Sequence, residues 1–202
     1  MASLPGKVYV HCFLGRHRVK RVQDLLERRG TVSGTYRLRQ GERSAEAMAL
    51  DRADAAFRAG DYGGALEIVE GIRKEGTDAE MLAGWCHYRL GEIDAAERAF
   101  AHVLRGAPGH GGAETGLGYC ELRRDRSARA EGYFKSALRS NREDASAAVG
   151  LGLALYRQDR LAEAERWLTK GLAVGPRDAE AQEVLDRIRS VLGRVGLEKA
   201  SE

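Results

Sequence analysis

Proline is nearly missing from this chain, three residues in 202. So little of the residue that breaks helices excludes collagen-like and polyproline structure, and the abundant Ala, Leu, Arg and Glu lean towards helix. Cysteine is equally scarce. Cys12, Cys86 and Cys120 form no Cys-x-x-Cys pair and are too few for a disulfide framework. No apolar run approaches the ~20 residues that a membrane helix needs. The opening Met1–Lys7 has no apolar stretch before a small-residue cleavage site, so no signal peptide is expected and the cytoplasm is the expected location. Neither sign of charge dominates, with 33 Lys and Arg against 30 Asp and Glu. That balance argues against a dedicated polyanion binder, and 43% hydrophobic residues exclude wholesale disorder. Two hundred and two residues suit one large domain, or a small one beside a medium one.

The balance conceals a split. Residues 1–44 carry ten basic side chains against Asp24, Glu27 and Glu42, a net +7, and the other 158 residues carry a net −4. Such asymmetry marks two units with different jobs.

The larger unit repeats with a period of 34. Gly84, Gly118 and Gly152 keep that spacing, as do Ala96, Ala130 and Ala164, then Phe100, Phe134 and Leu168, then Leu104, Leu138 and Leu172. Tyr88-Arg89, Leu122-Arg123 and Tyr156-Arg157 follow it, and so do Glu97, Glu131 and Glu165. Pro108 and Pro176 lie two periods apart. A degenerate earlier copy, about three residues shorter, centres on Phe57-Arg58, Gly60-Asp61-Tyr62 and Ala65-Leu66. Apolar residues recur every three or four positions, Gly91-Glu92 interrupts them and Pro108 stops the helix, so each unit reads as a helical hairpin. The repeated Gly and Ala allow close helix approach, against a cost of ~1 kcal/mol for a helical Gly.

These residues resemble tetratricopeptide repeats over 45–176. The family pattern is met by Leu117-Gly118, Ala130, Phe134 and Ala137 in one copy, and by Leu151-Gly152, Ala164, Leu168 and Pro176 in the next. Arg142 stands where Pro is usual, Ala83 where Leu is usual and Gly171 where Ala is usual. The resemblance implies an all-α fold: a right-handed α-solenoid of about four hairpins over 45–177. An amphipathic capping helix is expected over 178–195, with a frayed tail over 196–202. Cys86 and Cys120, one period apart beside the close-packing Gly positions, read as small core residues rather than a redox or metal pair. No metal and no cofactor is expected.

Proteins of this family bind an extended peptide or helix in the concave surface lined by the first helices. Mapping that surface onto this chain gives Phe57, Arg58, Trp85, Tyr88, Arg89, Tyr119, Arg123, Tyr156 and Arg157, with Met81, Thr115, Leu122, Val149 and Leu153 beside them. Aromatic faces and Arg forks suit a partner with apolar anchors and carboxylates. The family's clamp for acidic chaperone C-termini needs Asn and Lys where this chain has Trp85, Tyr119 and Leu153, so that partner is not expected.

The basic unit carries another signature. An apolar strand (Val8–Val10) is expected to run into a loop and an amphipathic helix ended by Gly30. His11-Cys12, five residues and then Arg18 resemble the phosphate loop of tyrosine and dual-specificity protein phosphatases. The resemblance implies phosphate binding by Cys12, Gly15, Arg16, His17 and Arg18, with Cys12 as nucleophile and Arg18 as clamp were the loop active. Val19 replaces the usual Ser or Thr, and neither the upstream general acid nor the flanking strands are within this stretch. Residues 1–30 therefore read as the end of a phosphatase-like domain, and catalysis is not expected. Residues 31–44 read as a linker ending in the helix-capping Ser44.

The leading expectation is a non-enzymatic scaffold or adaptor that binds a protein, peptide or neighbouring subunit, the groove favouring an acidic one. The alternatives are a phosphatase-related regulatory protein and a structural protein that self-assembles head to tail through the N-terminal arm, the strand Lys7–Val10 or the solenoid ends. No nucleic acid and no membrane span are expected.

Overall fold

The computed structural model describes residues 45–72, 76–175 and 178–199, with side chains through Gly193. The expected strand, the Cys12–Arg18 loop, the linker with Ser44, and Pro176 lie outside the described residues.

Nine helices run through the described residues: α1 (Ala45–Ala59), α2 (Tyr62–Glu70), α3 (Thr77–Leu90), α4 (Ile93–Gly106), α5 (Gly111–Arg123), α6 (Ser127–Ser140), α7 (Ala145–Tyr156), α8 (Leu161–Val174) and α9 (Ala179–Lys199). They pair as four hairpins, α1–α2 to α7–α8, and α9 packs on α7 and α8. Where α4, α6 and α8 have 14 residues, α2 has 9, so the second helix of the first copy is five residues shorter than its counterparts. The last helix runs beyond residue 195, the expected end of the cap, into the expected tail as far as Lys199.

Local chemistry sets the helix ends. The first helix of each hairpin is followed by a residue in the left-handed region: Gly60 (φ 87°), Gly91 (85°), Asp125 (57°) and Asp159 (61°). Glycine adopts that conformation without steric cost, and Asp is among the few other residues that tolerate it. Side chains of His110, Asp144 and Asp178, again 34 apart, accept hydrogen bonds from the backbone N–H of Ala113, Ala147 and Ala181. They satisfy donors that helix geometry leaves open at the starts of α5, α7 and α9.

The stack has an asymmetric cross-section. First helices of successive hairpins come into close backbone contact (α1 with α3, α3 with α5, α5 with α7), as does α7 with the cap α9, whereas among the described residues no two second helices come as close. The first helices thus form the inner, tighter layer, and the second helices fan apart outside it.

Shape complementarity in the seam sets the spacing. The buried Phe100 ring lies between Gly84 of its own hairpin and Gly116 of the next, and a Cβ at either Gly would stand 2.6 Å from the ring. Phe134 repeats this between Gly118 (2.6 Å) and Gly150 (2.3 Å). Leu168 replaces the ring in the fourth hairpin, and the position equivalent to Gly150 then holds Val184 in the same core cluster. In the first hairpin Val69 faces Ala53, with Leu82 beside them. Gly171 is explained similarly, since a Cβ there would come within 2.8 Å of the Val149 backbone nitrogen. Close packing leaves no slack at such positions.

Polar contacts also cross the seam. Glu97 accepts from Arg124 (2.6 Å), Glu131 from Gln158 (3.0 Å) and Arg160 (2.9 Å), and Glu165 from Arg189 (3.2 Å). The Glu repeat of the sequence is therefore a ladder that ties α4, α6 and α8 to the residues of the unit that follows each.

Candidate protein-binding face

The inner layer presents one face of α1, α3, α5 and α7. Residues three and four apart share a helix face, so Trp85, Tyr88 and Arg89 on α3 recur as Tyr119 and Arg123 on α5 and as Tyr156 and Arg157 at the end of α7. The aromatic members are half-buried and the Arg members exposed. Met81, Thr115, Leu122 and Val149 are at most 4% exposed and belong to the core instead. The stacking that brings the first helices together covers them.

The rings form a connected strip. Trp85 meets Phe100 edge-on at 5.1 Å, Tyr88 at 5.8 Å and Tyr119 at 6.0 Å. Tyr119 continues to Phe134 at 5.1 Å. Its hydroxyl donates to the Ser146 carbonyl oxygen at 2.9 Å, which bridges α5 to the next hairpin. Phe57 stands apart from these rings, edge-on to Tyr62 at 5.2 Å. Edge-to-face pairs of this kind contribute ~0.5–1.5 kcal/mol beyond their buried area.

Each Arg of the series except Arg58 reaches towards the preceding hairpin. The Arg89 guanidinium lies over the Tyr62 ring at 4.8 Å and that of Arg123 over Tyr88 at 5.6 Å. Arg157 donates to the Leu122 carbonyl oxygen (2.6 Å) and to Asp125 (3.0 Å). Arg58 pairs with Asp54 on its own helix at 2.5 Å. The ladder thus binds repeat to repeat while keeping N–H donors at the surface.

Sequence reasoning missed the opposite edge. The first helices point the same way, so residues at their starts line one rim and residues at their ends the other. Asp144 and Asp178 occupy the starting rim beside Glu180, facing the Arg rim across the aromatic strip. Their field is felt at the rings: the Tyr119 hydroxyl is pushed well above its ordinary pKa by burial first, then by Asp178, Tyr88, Asp144 and Glu180. Burial also raises Tyr88, opposed by the Arg123 hydrogen bond and charge. The 34-residue spacing of Asp144 and Asp178 was the available signal, but His110 at the equivalent position interrupts it.

Cys86 and Cys120 are fully buried and free. Burial pushes their thiols up to about 11 and about 12. Among the described residues no group of three His, Cys, Asp or Glu side chains could hold a metal, and no helix is long and apolar enough to cross a membrane.

The tetratricopeptide repeat profile matches residues 50–111, 81–138 and 115–181 in overlapping segments, well over half the chain. The chain belongs to the tetratricopeptide repeat family. Among solved structures, this tetratricopeptide protein is similar to TTC0263, a thermophilic TPR protein of Thermus thermophilus. The identity is 20% and the TM-score 0.64, over 75% of this chain and 85% of that one. MamA 41-end from Desulfovibrio magneticus RS-1 shares 19% identity (TM-score 0.57, 73% and 85% covered). The first TPR of Spaghetti (RPAP3), bound to HSP90 peptide SRMEEVD, shares 22% (TM-score 0.53, 58% and 93% covered). At such identities the likeness concerns the fold alone. No curated protein sequence matches the chain.

Proposed function

We propose that this protein is a non-enzymatic interaction scaffold whose inner face holds an extended or helical segment of a partner. The observation that carries the reading is the face itself: a half-buried aromatic strip, Trp85 to Tyr119, between an Arg rim and a carboxylate rim. Preformed rings offer contact area at low entropy cost, and opposed rims orient a segment whose flanks differ in charge. The partner presents apolar anchors to the strip, Phe57 and Tyr156, and carboxylates to Arg58, Arg89, Arg123 and Arg157. The RPAP3 repeat bound to an HSP90 peptide is a precedent for the fold. The Asn and Lys of the chaperone clamp are nevertheless replaced here by Trp85, Tyr119 and Leu153. A double variant, Arg89→Glu with Arg123→Glu, should lose partner capture in a pull-down while keeping its helical circular dichroism. Unchanged capture by the folded variant sinks the proposal.

A second reading rests on the Cys12-x5-Arg18 spacing, with Gly15, Arg16 and His17 between: a phosphate-binding loop attached to the scaffold. Its measure is binding of inorganic phosphate or turnover of a small aryl phosphate, lost in Cys12→Ser. Neither signal in the intact chain removes it. Head-to-tail self-assembly is read separately by light scattering, where a monomer at all concentrations excludes it.

A further inference from the structure

The fanning of the second helices opens a cleft of about 440 Å³ on the outer layer between α6 and α8. Its floor is apolar, formed by Leu138 and the buried Leu151 of α7, and half-buried Trp167 forms one wall. Lys135, Arg139, Arg142 and Lys170 surround it. Lys135 is held by Glu131 at 2.6 Å and Lys170 lies over the Trp167 ring at 5.0 Å. Arg139 and Arg142 are exposed and make no ion pair among the described residues. Arg142 stands where the repeat usually has proline.

This charge is local. One period earlier, the positions of Lys135, Arg139, Arg142 and Lys170 hold Ala101, Arg105, Pro108 and Ser136, a single cation. Four cations about one aromatic wall and a leucine floor are therefore specific to the interval between the third and fourth hairpins. A nucleic-acid strand needs a basic track that continues along its phosphates. A patch one interval long with an aliphatic floor suits a short segment that inserts one apolar side chain and flanks it with carboxylates.

We propose that this outer cleft is a second docking site, separate from the inner face, for an acidic peptide segment carrying a single aliphatic or aromatic anchor. The anchor packs on Leu138, Leu151 and Trp167, while Arg139, Arg142 and Lys170 grip the flanking carboxylates. The chain has two tryptophans, one per face: Trp85 inside and Trp167 outside. That makes the test site-specific. The indole N–H signals of the isotope-labelled full chain, assigned with Trp167→Phe, are followed during titration with a synthetic peptide in which glutamates flank a single Leu. The Trp167 signal should shift to saturation, and Arg139→Glu with Arg142→Glu should weaken that titration about tenfold or more. Arg139→Gln with Arg142→Gln repeats the comparison without charge reversal, and the Trp85 signal reports that either variant is folded. An unmoved Trp167 signal overturns the proposal, as does equal weakening by Arg89→Glu with Arg123→Glu on the inner face. A thymidine oligonucleotide that moves Trp167 as strongly as the peptide also overturns it, in favour of a general polyanion site. Failure here leaves the inner-face pull-down untouched, and the reverse.

Discussion

Gly150 and Phe134 form a lock across the seam between the third and fourth hairpins: a Cβ on Gly150 would stand 2.3 Å from Cε1 of the Phe134 ring. Alanine in a helix is normally about 1 kcal/mol better than glycine. Here overpacking, typically about 1–3 kcal/mol, opposes that gain. Gly150→Ala should therefore lower the melting temperature. Phe134→Leu frees the space, and the Leu168–Val184 pair one period on is the natural precedent. The double variant should be more stable than the sum of the single effects, with a coupling of about 0.5–3 kcal/mol in urea denaturation. Strict additivity would refute the lock.

The turns carry removable strain. Asp159 holds φ at 61°, and its side chain accepts no hydrogen bond among the described residues. The left-handed region costs an L-residue about 1–2 kcal/mol, and glycine returns about 0.4–1 kcal/mol of that through unfolded-chain entropy. Asp159→Gly should stabilise by roughly 0.5–1 kcal/mol, a rise of about 1–4 °C in melting temperature for a chain of this size. Asp125→Gly should gain less, because it also removes the 3.0 Å contact with Arg157. Calorimetry of both variants checks the order.

These cases mark how far the repeat could be read beforehand. Gly84, Gly118 and Gly152 declare a packing role by spacing alone. Gly116 and Gly150 share that spacing, but Leu82 and Val184 flank the series, so their meaning depends on the ring each faces. Glu97, Glu131 and Glu165 are as regular, yet their partners are Arg124, Gln158 and Arg189, unlike residues on other elements. The hairpin pattern was legible because it is written within single helices. The candidate face was legible in part: helical spacing puts Trp85 and Tyr119 on it, but the tightness of stacking decides that Met81, Thr115, Leu122 and Val149 sink into the core. The outer cleft announced itself by one departure, Arg142 for proline.

The buried thiols should be chemically silent. With Cys86 near 11 and Cys120 near 12, the thiolate fraction at pH 8 is about one in a thousand or less. A thiol-specific disulfide reagent should leave both unmodified in the native protein and label both in denaturant, as peptide mapping would record. Rapid native labelling of Cys120 would show that the seam around it opens.

The Glu131 carboxylate gives acid stability a specific origin. Burial works against its charge, but hydrogen bonds from Lys135, Arg160 and Gln158 outweigh that and hold it at about 2, below the ordinary 4.5. A depressed folded-state value means that the unfolded chain takes up the proton first as pH falls. The stabilisation is therefore complete above pH 4.5 and is lost progressively towards pH 2. Urea midpoints of the wild type should fall across that window. Glu131→Gln should be less stable at pH 7, since Arg160 and Lys135 lose their common partner, and should show a shallower fall between pH 4.5 and 2. Parallel curves for the two proteins would place the acid sensitivity in other carboxylates and remove Glu131 as the charge that ties the third hairpin to the fourth.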